Sequence, residues 1–281
     1  MSFRTIAVER LERAILADRD DVELYLVYAD ELQRNGDPRG ELMVMQNQIQ
    51  SVEDRIARRA LQRTCDKWIE RHDLLGPLRD FPAFGAGRTA EVTSRFGFIR
   101  CLEIGWGPEA RETPASATAT LTEILQHPSS PWISKLVVGP APGDGTMDMQ
   151  CLVDALVAAA PRALRSLHLG RTTGWPRQHT TTGNIADANA ALGRLQQLTL
   201  EGGTVRIGAL ALPELVELRV LCGVFAQDTI DELCAMSCPK LKTLMISFGE
   251  AFAAPDTLEA RLRSHLPHVR KVRARGEVRD W

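Results

Sequence analysis

Apolar residues recur in one short pattern from Ile99 to the end of the chain. Each copy spans six residues and places Leu, Ile or Val at its first, fourth and sixth positions. Consecutive copies begin 20 to 34 residues apart, in and slightly above the range of short structural repeats. The last copy is degraded, because its sixth position is Ala274. The copies begin at Ile99, Ile133, Leu164, Leu195, Leu215, Leu241 and Val269.

The segments between the copies show helical patterning. A helix followed by a short strand, repeated along the chain, is one supersecondary unit stacked in a line. The sequence therefore predicts an α/β fold, in which residues 99–281 form a leucine-rich-repeat-like solenoid of about seven units with a parallel sheet. The helical segments are Ala117 to Gln126, Met149 to Ala160, Ile185 to Leu192, Asp228 to Ser237 and Asp256 to Leu266.

The repeats resemble leucine-rich repeats but depart from their best-known form. That form places Asn or Cys three residues after the last apolar position, where the side chain serves the backbone of the turn. Without it, the backbone groups of the turns need other partners or water. The residues at that position here are Gly107, Ala141, Thr172, Gly203, Gly223, Gly249 and Glu277.

Residues 1–75 are predicted to be a small all-helical domain. The first helix carries an apolar stripe that includes Ile15, and the acidic cluster at 18–21 supplies a cap for the second. The second helix carries Leu24, Val27, Tyr28 and Leu32 and ends at Asn35-Gly36. A long third helix is expected from about Arg39, with a stripe through Ile56 and a continuation towards Trp68.

This N-terminal region resembles a known bacterial domain. Residues 26–32 read LVYADEL and residues 36–42 read GDPRGEL. Together they resemble the repeat-companion domain of large-genome bacteria such as myxobacteria and planctomycetes, which often precedes leucine-rich repeats. The resemblance covers about 40 residues and implies an architecture, with no catalytic residue to transfer. One departure is Glu31, where the family commonly has Trp.

The turn between the second and third helices is expected to be a structural feature. Gly36 can take a positive φ, Asp37 can cap the third helix and Pro38 fixes φ at its start. Arg39 would then lie near Asp30 on the preceding helix and form an ion pair that locks the hairpin. The alternative, an active-site pair, has no other support in the sequence.

Residues 76–98 are expected to be a connector and N-terminal cap. Repeated Gly and Pro residues interrupt regular structure there, and the aromatic stretch at 95–98 would cover the exposed end of the repeat core. The pair Gly85-x-Gly87 lacks the third Gly, the Lys-Ser/Thr ending and the preceding strand of a phosphate-binding loop.

Composition narrows the class of protein. The chain has 34 basic and 36 acidic residues and a net charge of −2, which gives no global reason to expect nucleic acid or an anionic membrane as partner. No apolar run is long enough for a membrane span, and the N-terminus is too charged for a signal peptide. The six cysteines have spacings that fit neither a zinc site nor a disulfide framework. These features predict a cytoplasmic protein with free thiols.

No catalytic constellation stands out. The sequence lacks HExxH, GxSxG and GxxxxGK[ST], and its six histidines are scattered. His265 and His268 are too isolated for a metal site, and Asp144 and Asp148 lack the further oxygens that calcium needs. We therefore expect no enzyme activity, no cofactor and no metal.

The predicted sheet offers a surface instead. Residues next to the inward-facing apolar positions point to the concave side, where they form either an ordinary solvated sheet face or a recognition face for a protein or peptide. The loops 139–146 and 171–182, directly after strands, are expected to contribute contacts. The candidate partner-binding residues are Glu103, Lys135, His168, Thr199, Glu201, Glu217, Arg219, Met245, Lys271 and Arg273.

Two alternatives concern the same surface. The basic residues Arg270, Lys271, Arg273, Arg275 and Arg279 could bind an acidic protein or nucleic-acid phosphates. Glu277 and Asp280 interrupt this run and no aromatic ladder accompanies it, which disfavours nucleic acid. The second alternative is a regulatory subunit of an enzyme complex.

Overall fold

In a computed structural model, residues 6–19, 21–78, 88–106, 113–140, 147–171, 180–224, 226–249 and 255–276 are described. They form an α/β protein in which N-terminal helices precede a mostly parallel sheet of eight strands. This confirms the predicted α/β class, the N-terminal helices and the mostly parallel sheet.

Four helices precede the sheet. They are α1 (Ile6–Ala17), α2 (Val22–Arg34), α3 (Pro38–Ser51) and α4 (Arg55–Arg71), and a short 3-10 turn follows at Gly76–Leu78. Carboxylates begin three of them: the side chains of Asp21, Asp37 and Asp54 accept hydrogen bonds from the first backbone N–H groups of α2, α3 and α4.

The long third helix expected from Arg39 is two helices. The α3 helix ends at Ser51, and Asp54 starts α4 by accepting hydrogen bonds from the backbone N–H groups of Ile56 and Ala57. A new N-cap interrupts the helix because its carboxylate satisfies donors that a continuous helix would pair with carbonyls. Ile56 is consequently 79% exposed rather than part of a buried stripe, and Val27 on α2 is 54% exposed.

The eight strands of the main sheet lie in chain order. The sheet has the order β1-β2-β3-β5-β7-β9-β10-β11, and every neighbouring pair is parallel except the antiparallel pair β1–β2. Its strands are β1 (Arg88–Arg95), β2 (Phe98–Trp106), β3 (Lys135–Val138), β5 (Ser166–Leu169), β7 (Gln197–Gly202), β9 (Glu217–Cys222), β10 (Thr243–Phe248) and β11 (Lys271–Gly276).

A smaller parallel sheet of three strands accompanies the main one. It contains β4 (Met147–Asp148), β6 (Thr180–Asn184) and β8 (Thr204–Arg206). Hydroxyl groups serve its backbone: Gly203 donates its N–H to Thr180 Oγ1 at 3.0 Å, and Arg206 donates to Thr182 Oγ1 at 3.1 Å. The side-chain hydroxyl groups of these two buried threonines therefore have hydrogen-bond partners within the protein.

The apolar pattern corresponds to the register of the main sheet. All seven copies contain a strand, and their second apolar positions are Cα partners from strand to strand. Each of these residues is at most 2% exposed, which places the row in the core. The row consists of Leu102, Leu136, Leu167, Leu198, Leu218, Leu244 and Val272.

Helices fill most intervals between the strands. They are α5 (Pro114–Gln126), α6 (Gln150–Ala159), α7 (Gln227–Ala235) and α8 (Pro255–His265), as the helical patterning predicts. The predicted helix at Ile185 to Leu192 is only a 3-10 turn at Ile185–Ala188 followed by further turns. The buried faces of these helices pack with the strand residues in one continuous apolar core.

The connector at 76–98 contains a strand that the sequence did not indicate. Strand β1 forms a hairpin with β2 through Phe96 and Gly97, which both have positive φ, at 53° and 73°. Two consecutive residues of positive φ match the right-handed twist of the flanking strands. Gly97 donates its N–H to Gln46 Oε1 at 3.1 Å, so α3 holds this turn.

Backbone contacts replace an asparagine ladder at the strand ends. A Cβ on Gly249 would lie 2.7 Å from Gly223 O, and one on Gly223 would lie 3.4 Å from Gly203 Cα. Direct bonds accompany this close stacking: Val224 donates to Gly203 O at 2.8 Å and Gly249 to Cys222 O at 3.0 Å. The equivalent positions 107, 141, 172 and 277 lie outside the described residues.

Candidate binding surface

One face of the main sheet points away from the interleaved helices. It carries the side chains that alternate with the buried apolar rows, and we call it the outer face. Its first row is Cys101, Lys135, Ser166, Gln197, Glu217, Thr243 and Lys271, and its second row is Glu103, Val137, His168, Thr199, Arg219, Met245 and Arg273. Nine of the ten predicted partner-binding residues belong to these two rows, and Glu201 follows in β7.

Two ion pairs organise the charges of the outer face. Arg219 Nε lies 2.6 Å from Glu217 Oε1 on β9, and Arg171 Nη1 lies 2.6 Å from Glu103 Oε2. In both pairs the side chains keep contact with solvent. Exposed pairs of this kind contribute little to stability, so they remain available to a partner.

Glu201 differs from the other predicted contacts. It is only 4% exposed, and its Oε2 lies 3.0 Å from His168 Nε2. The backbone is close there as well, because a Cβ on Gly170 would lie 1.9 Å from Glu201 O. Glu201 is therefore a buried partner of the His168 ring and is not an exposed contact residue.

The outer face becomes more basic towards β11. Lys271, Arg273 and Arg275 alternate along this terminal strand, and all three are exposed. Met245 on β10 and Thr199 on β7 are half-buried between the charged positions. Positions 277–281, which include the predicted Glu277, Arg279 and Asp280, lie outside the described residues.

The α2–α3 turn forms as predicted, with one difference. Gly36 has a φ of +71°, Asp37 accepts the Arg39 N–H at 3.0 Å and Pro38 occupies the first turn of α3. The guanidinium of Arg39, however, pairs with the Asp37 carboxylate, and Asp30 is exposed. The predicted Asp30–Arg39 pair is replaced because Asp37 lies two residues away, whereas Asp30 faces solvent.

An aromatic cluster joins the N-terminal helices to the sheet. Trp132 lies at its centre, with ring centroids 4.0 Å from Phe98, 5.3 Å from Tyr28 and 5.6 Å from Tyr25. Phe96 adds a further contact, 4.8 Å from Tyr25. Sequence analysis assigned 95–98 to a cap but missed Tyr25 and Trp132. Both residues are large aromatics in a chain that is only 5% aromatic, and this rarity could have marked them as core residues.

A cleft of about 670 Å³ lies where α1 and α2 meet the α5–β3 and α6–β5 turns. Tyr28, Arg39, His127, Trp132 and Arg162 are among the residues that line it. Burial, and then the nearby Arg39 charge, lowers the pKa of His127. Ser130 and Trp132 both line the cleft, and the buried atoms Ser130 Oγ and Trp132 Nε1 have no hydrogen-bond partner.

The described residues offer few reactive groups. No set of three His, Cys, Asp or Glu side chains among them is placed to hold a metal ion. All six cysteines are free thiols, and burial raises the pKa of Cys222 to about 12. A thiol with so high a pKa is a poor nucleophile at neutral pH. None of the described helices combines the length and apolar character that a membrane crossing requires.

Parts of the predicted surface fall outside the described residues. The first predicted loop is described only at Gly139 and Pro140, and the second only at Arg171 and 180–182. Asp144 and the Gly85-x-Gly87 pair also lie outside. The outer face and the cleft are accordingly built here from the strands, helices and described turns.

Comparisons with known proteins give no family for this chain. No family model matches it, and no curated protein matches it. A solved structure with some likeness is a protein from Bacteroides fragilis, a target of the Northeast Structural Genomics Consortium. The two chains are 16% identical with a TM-score of 0.48, and the match covers 59% of this chain and 50% of the other. At this level the likeness supports no conclusion about fold or function.

Proposed function

We propose that this protein is a cytoplasmic, non-catalytic scaffold that binds a polypeptide partner along the outer face of its main sheet. The observation that carries the proposal is the register of the two outer rows across seven parallel strands. Adjacent strands are about 4.8 Å apart, so the rows present a long, regular array of side chains. Extended arrays of this kind are what repeat proteins commonly use for recognition.

The chemistry of the array favours a polypeptide. Acidic, basic, amide, hydroxyl and thioether groups alternate across the outer face, as at Gln197, Glu217, Arg219 and Met245. A mixed surface matches a shaped partner with its own varied side chains better than a uniform polyanion.

We further propose that the helix–strand units form a leucine-rich-repeat-like solenoid and that the N-terminal helices are a repeat-companion domain. The chain-order arrangement of the strands and the capped α2–α3 turn support this interpretation. In this proposal the N-terminal helices close the first unit of the solenoid through the aromatic cluster.

The test is a double substitution at the centre of the outer face. The double variant Glu217→Gln/Arg219→Gln removes both charges of a surface ion pair. Neither charge is left without its partner, so the fold should persist. After a partner is captured from the native host and purified, we expect its affinity to fall by about tenfold for this variant.

A matched control removes an equivalent ion pair elsewhere. Lys240 and Glu214 form a 2.7 Å pair in the turns before β10 and β9, away from the outer rows. Glu214→Gln with Lys240→Gln should bind the partner as the unchanged protein does. Equal binding by both double variants, with both folded by circular dichroism, would show that the partner docks elsewhere.

The basic strand β11 supports a second candidate function. Lys271, Arg273 and Arg275 are exposed on the terminal strand of the sheet, a position that an acidic partner could approach. Salt separates the possible partners, because binding to nucleic-acid phosphates weakens steeply and linearly on a log–log scale. A triple Gln variant of β11 should abolish that salt dependence if β11 makes the contacts.

A further inference from the structure

Four arginine side chains gather at the edge of the sheet where the strands begin. Arg100 is near the start of β2, Arg165 directly precedes β5, and Arg194 lies in the turn before β7. The fourth, Arg19, follows α1 and reaches across to the sheet. None of the four belongs to the rows of the outer face.

Backbone hydrogen bonds fix the spacing of this arginine cluster. Ser134 N–H donates to Arg100 O at 2.8 Å, and Arg165 N–H donates to Ser134 O at 2.8 Å. Arg100 and Arg165 therefore lie two strands apart, or about 10 Å at the usual strand spacing.

The other two arginines are tied to the same edge. Arg19 Nη2 donates to Ala163 O at 2.7 Å, two residues before Arg165. Arg165 Nη1 in turn lies 3.4 Å from Arg194 O, in the equivalent turn of the next unit. The guanidinium groups of Arg19 and Arg165 are thus held by neutral carbonyls, and that of Arg100 by the Tyr25 hydroxyl and by the rings of Tyr25 and Trp132.

The arginine cluster makes no ion pair with a carboxylate of the described residues, although Asp18 is next to Arg19 in the sequence. Among the residues that the structure describes, no carboxylate lies within 4.0 Å of any of the four guanidinium groups. The nearby Glu214 is bound by Lys240, and the Asp21 carboxylate is used to cap α2. Burial, followed by the charges of Arg165 and Arg100, lowers the pKa of Arg19. Burial and Arg194 lower that of Arg165, which Glu214 opposes.

We propose that Arg19, Arg100, Arg165 and Arg194 form a binding site for a ligand that carries more than one phosphate group. Guanidinium groups present planar pairs of donors that match phosphate oxygens. A phosphate brings three acceptor oxygens and nearly two negative charges, so it can be shared by several arginines, whereas a carboxylate has one charge and two oxygens. The backbone positions of Arg100 and Arg165 are about 10 Å apart, a spacing that suits linked phosphates better than a single one.

Titration of the purified 281-residue chain with pyrophosphate tests the site. Inorganic phosphate and citrate serve as comparison ligands, and sodium chloride keeps the ionic strength constant. We expect pyrophosphate to bind more tightly than either, by calorimetry, and to raise the melting temperature. Arg165→Gln and Arg194→Gln should each weaken pyrophosphate binding by about tenfold.

Arg273→Gln is the matched control, because it removes the same charge from the exposed strand β11. It should leave pyrophosphate affinity within about twofold of the unchanged protein, a difference of under 0.5 kcal/mol. A second readout needs no ligand: without anions, Arg194→Gln should melt no lower than Arg273→Gln, because it relieves repulsion between like charges.

Two results would overturn the proposal. One is equal binding of pyrophosphate by the Arg194→Gln and Arg273→Gln variants, which would indicate a general effect of net charge. The other is citrate binding as tightly as pyrophosphate, which would mean that the cluster selects carboxylates. If Arg165→Gln does not fold, the exposed Arg194 still decides the outcome.

Discussion

The Asp37 carboxylate both caps helix α3 and binds the Arg39 side chain. It accepts the Arg39 backbone N–H at the start of α3 and also binds the Arg39 guanidinium, with Nε at 2.8 Å from Oδ1. Both side chains are less than a fifth exposed. The α2–α3 turn is therefore held by one residue that caps a helix and pairs with a cation.

We expect Asp37→Ala to destabilise the protein more than Arg39→Ala. Removing Arg39 leaves a partly buried carboxylate that still caps α3, at a cost of about 1–3 kcal/mol. Removing Asp37 adds the loss of the cap, about 1 kcal/mol. Chemical denaturation measures both free energies of unfolding. Arg34→Ala, in an ion pair whose arginine is 74% exposed, is the control and should change little. The reverse order of the two costs would refute the double role of Asp37.

His127 should make stability depend on pH. Its ring is held between Gly76 and the α5–β3 turn, where its Nδ1 accepts the Ser129 N–H at 3.2 Å. Burial and Arg39 lower the pKa of His127, while Asp73 and Glu123 oppose that shift. The folded state therefore binds a proton less readily than the unfolded state, whose histidine pKa is about 6.5.

The sign of the effect follows from proton linkage. Between the unfolded pKa and the lower folded pKa, the unfolded chain binds more protons, so the free energy of unfolding rises with pH. The contribution of His127 is fully present above about pH 6.5 and is lost as the pH falls below it. Denaturation curves from pH 5 to 8 should show a shallower slope for His127→Gln. Identical slopes for the two proteins would contradict this assignment.

At the scale of elements, the aromatic cluster decides how the helices meet the sheet. Trp132 is fully buried and contacts the rings of Tyr25, Tyr28 and Phe98. These rings come from α2, from β2 and from the turn before β3, so one side chain connects three elements. Buried aromatic rings remove a large apolar area from water, and we therefore expect them to dominate the stability of this interface.

Trp132→Ala should cost about 3–5 kcal/mol, the usual range for a buried large aromatic. Trp132→Phe should cost much less, because it keeps a ring in the cluster and Trp132 Nε1 makes no hydrogen bond to lose. Thermal and chemical denaturation give the magnitudes, and near-UV circular dichroism reports the packing of the remaining rings. Similar costs for both variants would mean that the indole itself, rather than ring packing, holds the junction.

At the scale of the whole molecule, repetition explains both the core and the surface. Each copy of the apolar pattern buries its first, fourth and sixth positions, and parallel pairing aligns the fourth and sixth positions from strand to strand. The residues between them are then aligned on the outer face by the same register. Substitutions in the outer rows therefore leave the buried apolar rows unchanged.

The amino-acid sequence by itself determined the elements that local periodicity encodes. The spacing of apolar residues identified a strand in every copy and four of the five intervening helices, since burial repeats at a fixed period. The turn residues Gly36, Asp37 and Pro38 were also predictable, because their backbone preferences are local. Alternation along each strand identified the outward positions, and the strand register aligns nine of the ten candidate contacts in two rows.

Tertiary structure decided what depends on contacts distant in sequence. Strand β1 forms because β2 pairs with it, although its own residues alternate weakly. Arg39 binds Asp37 rather than Asp30, and Glu201 is buried against His168, because neighbouring elements fix which side chains reach solvent. The arginine cluster assembles residues 19, 100, 165 and 194 from one linker, one strand and two turns. No sequence window contains this cluster, because only the pairing of strands that are distant in sequence brings its members to one edge of the sheet.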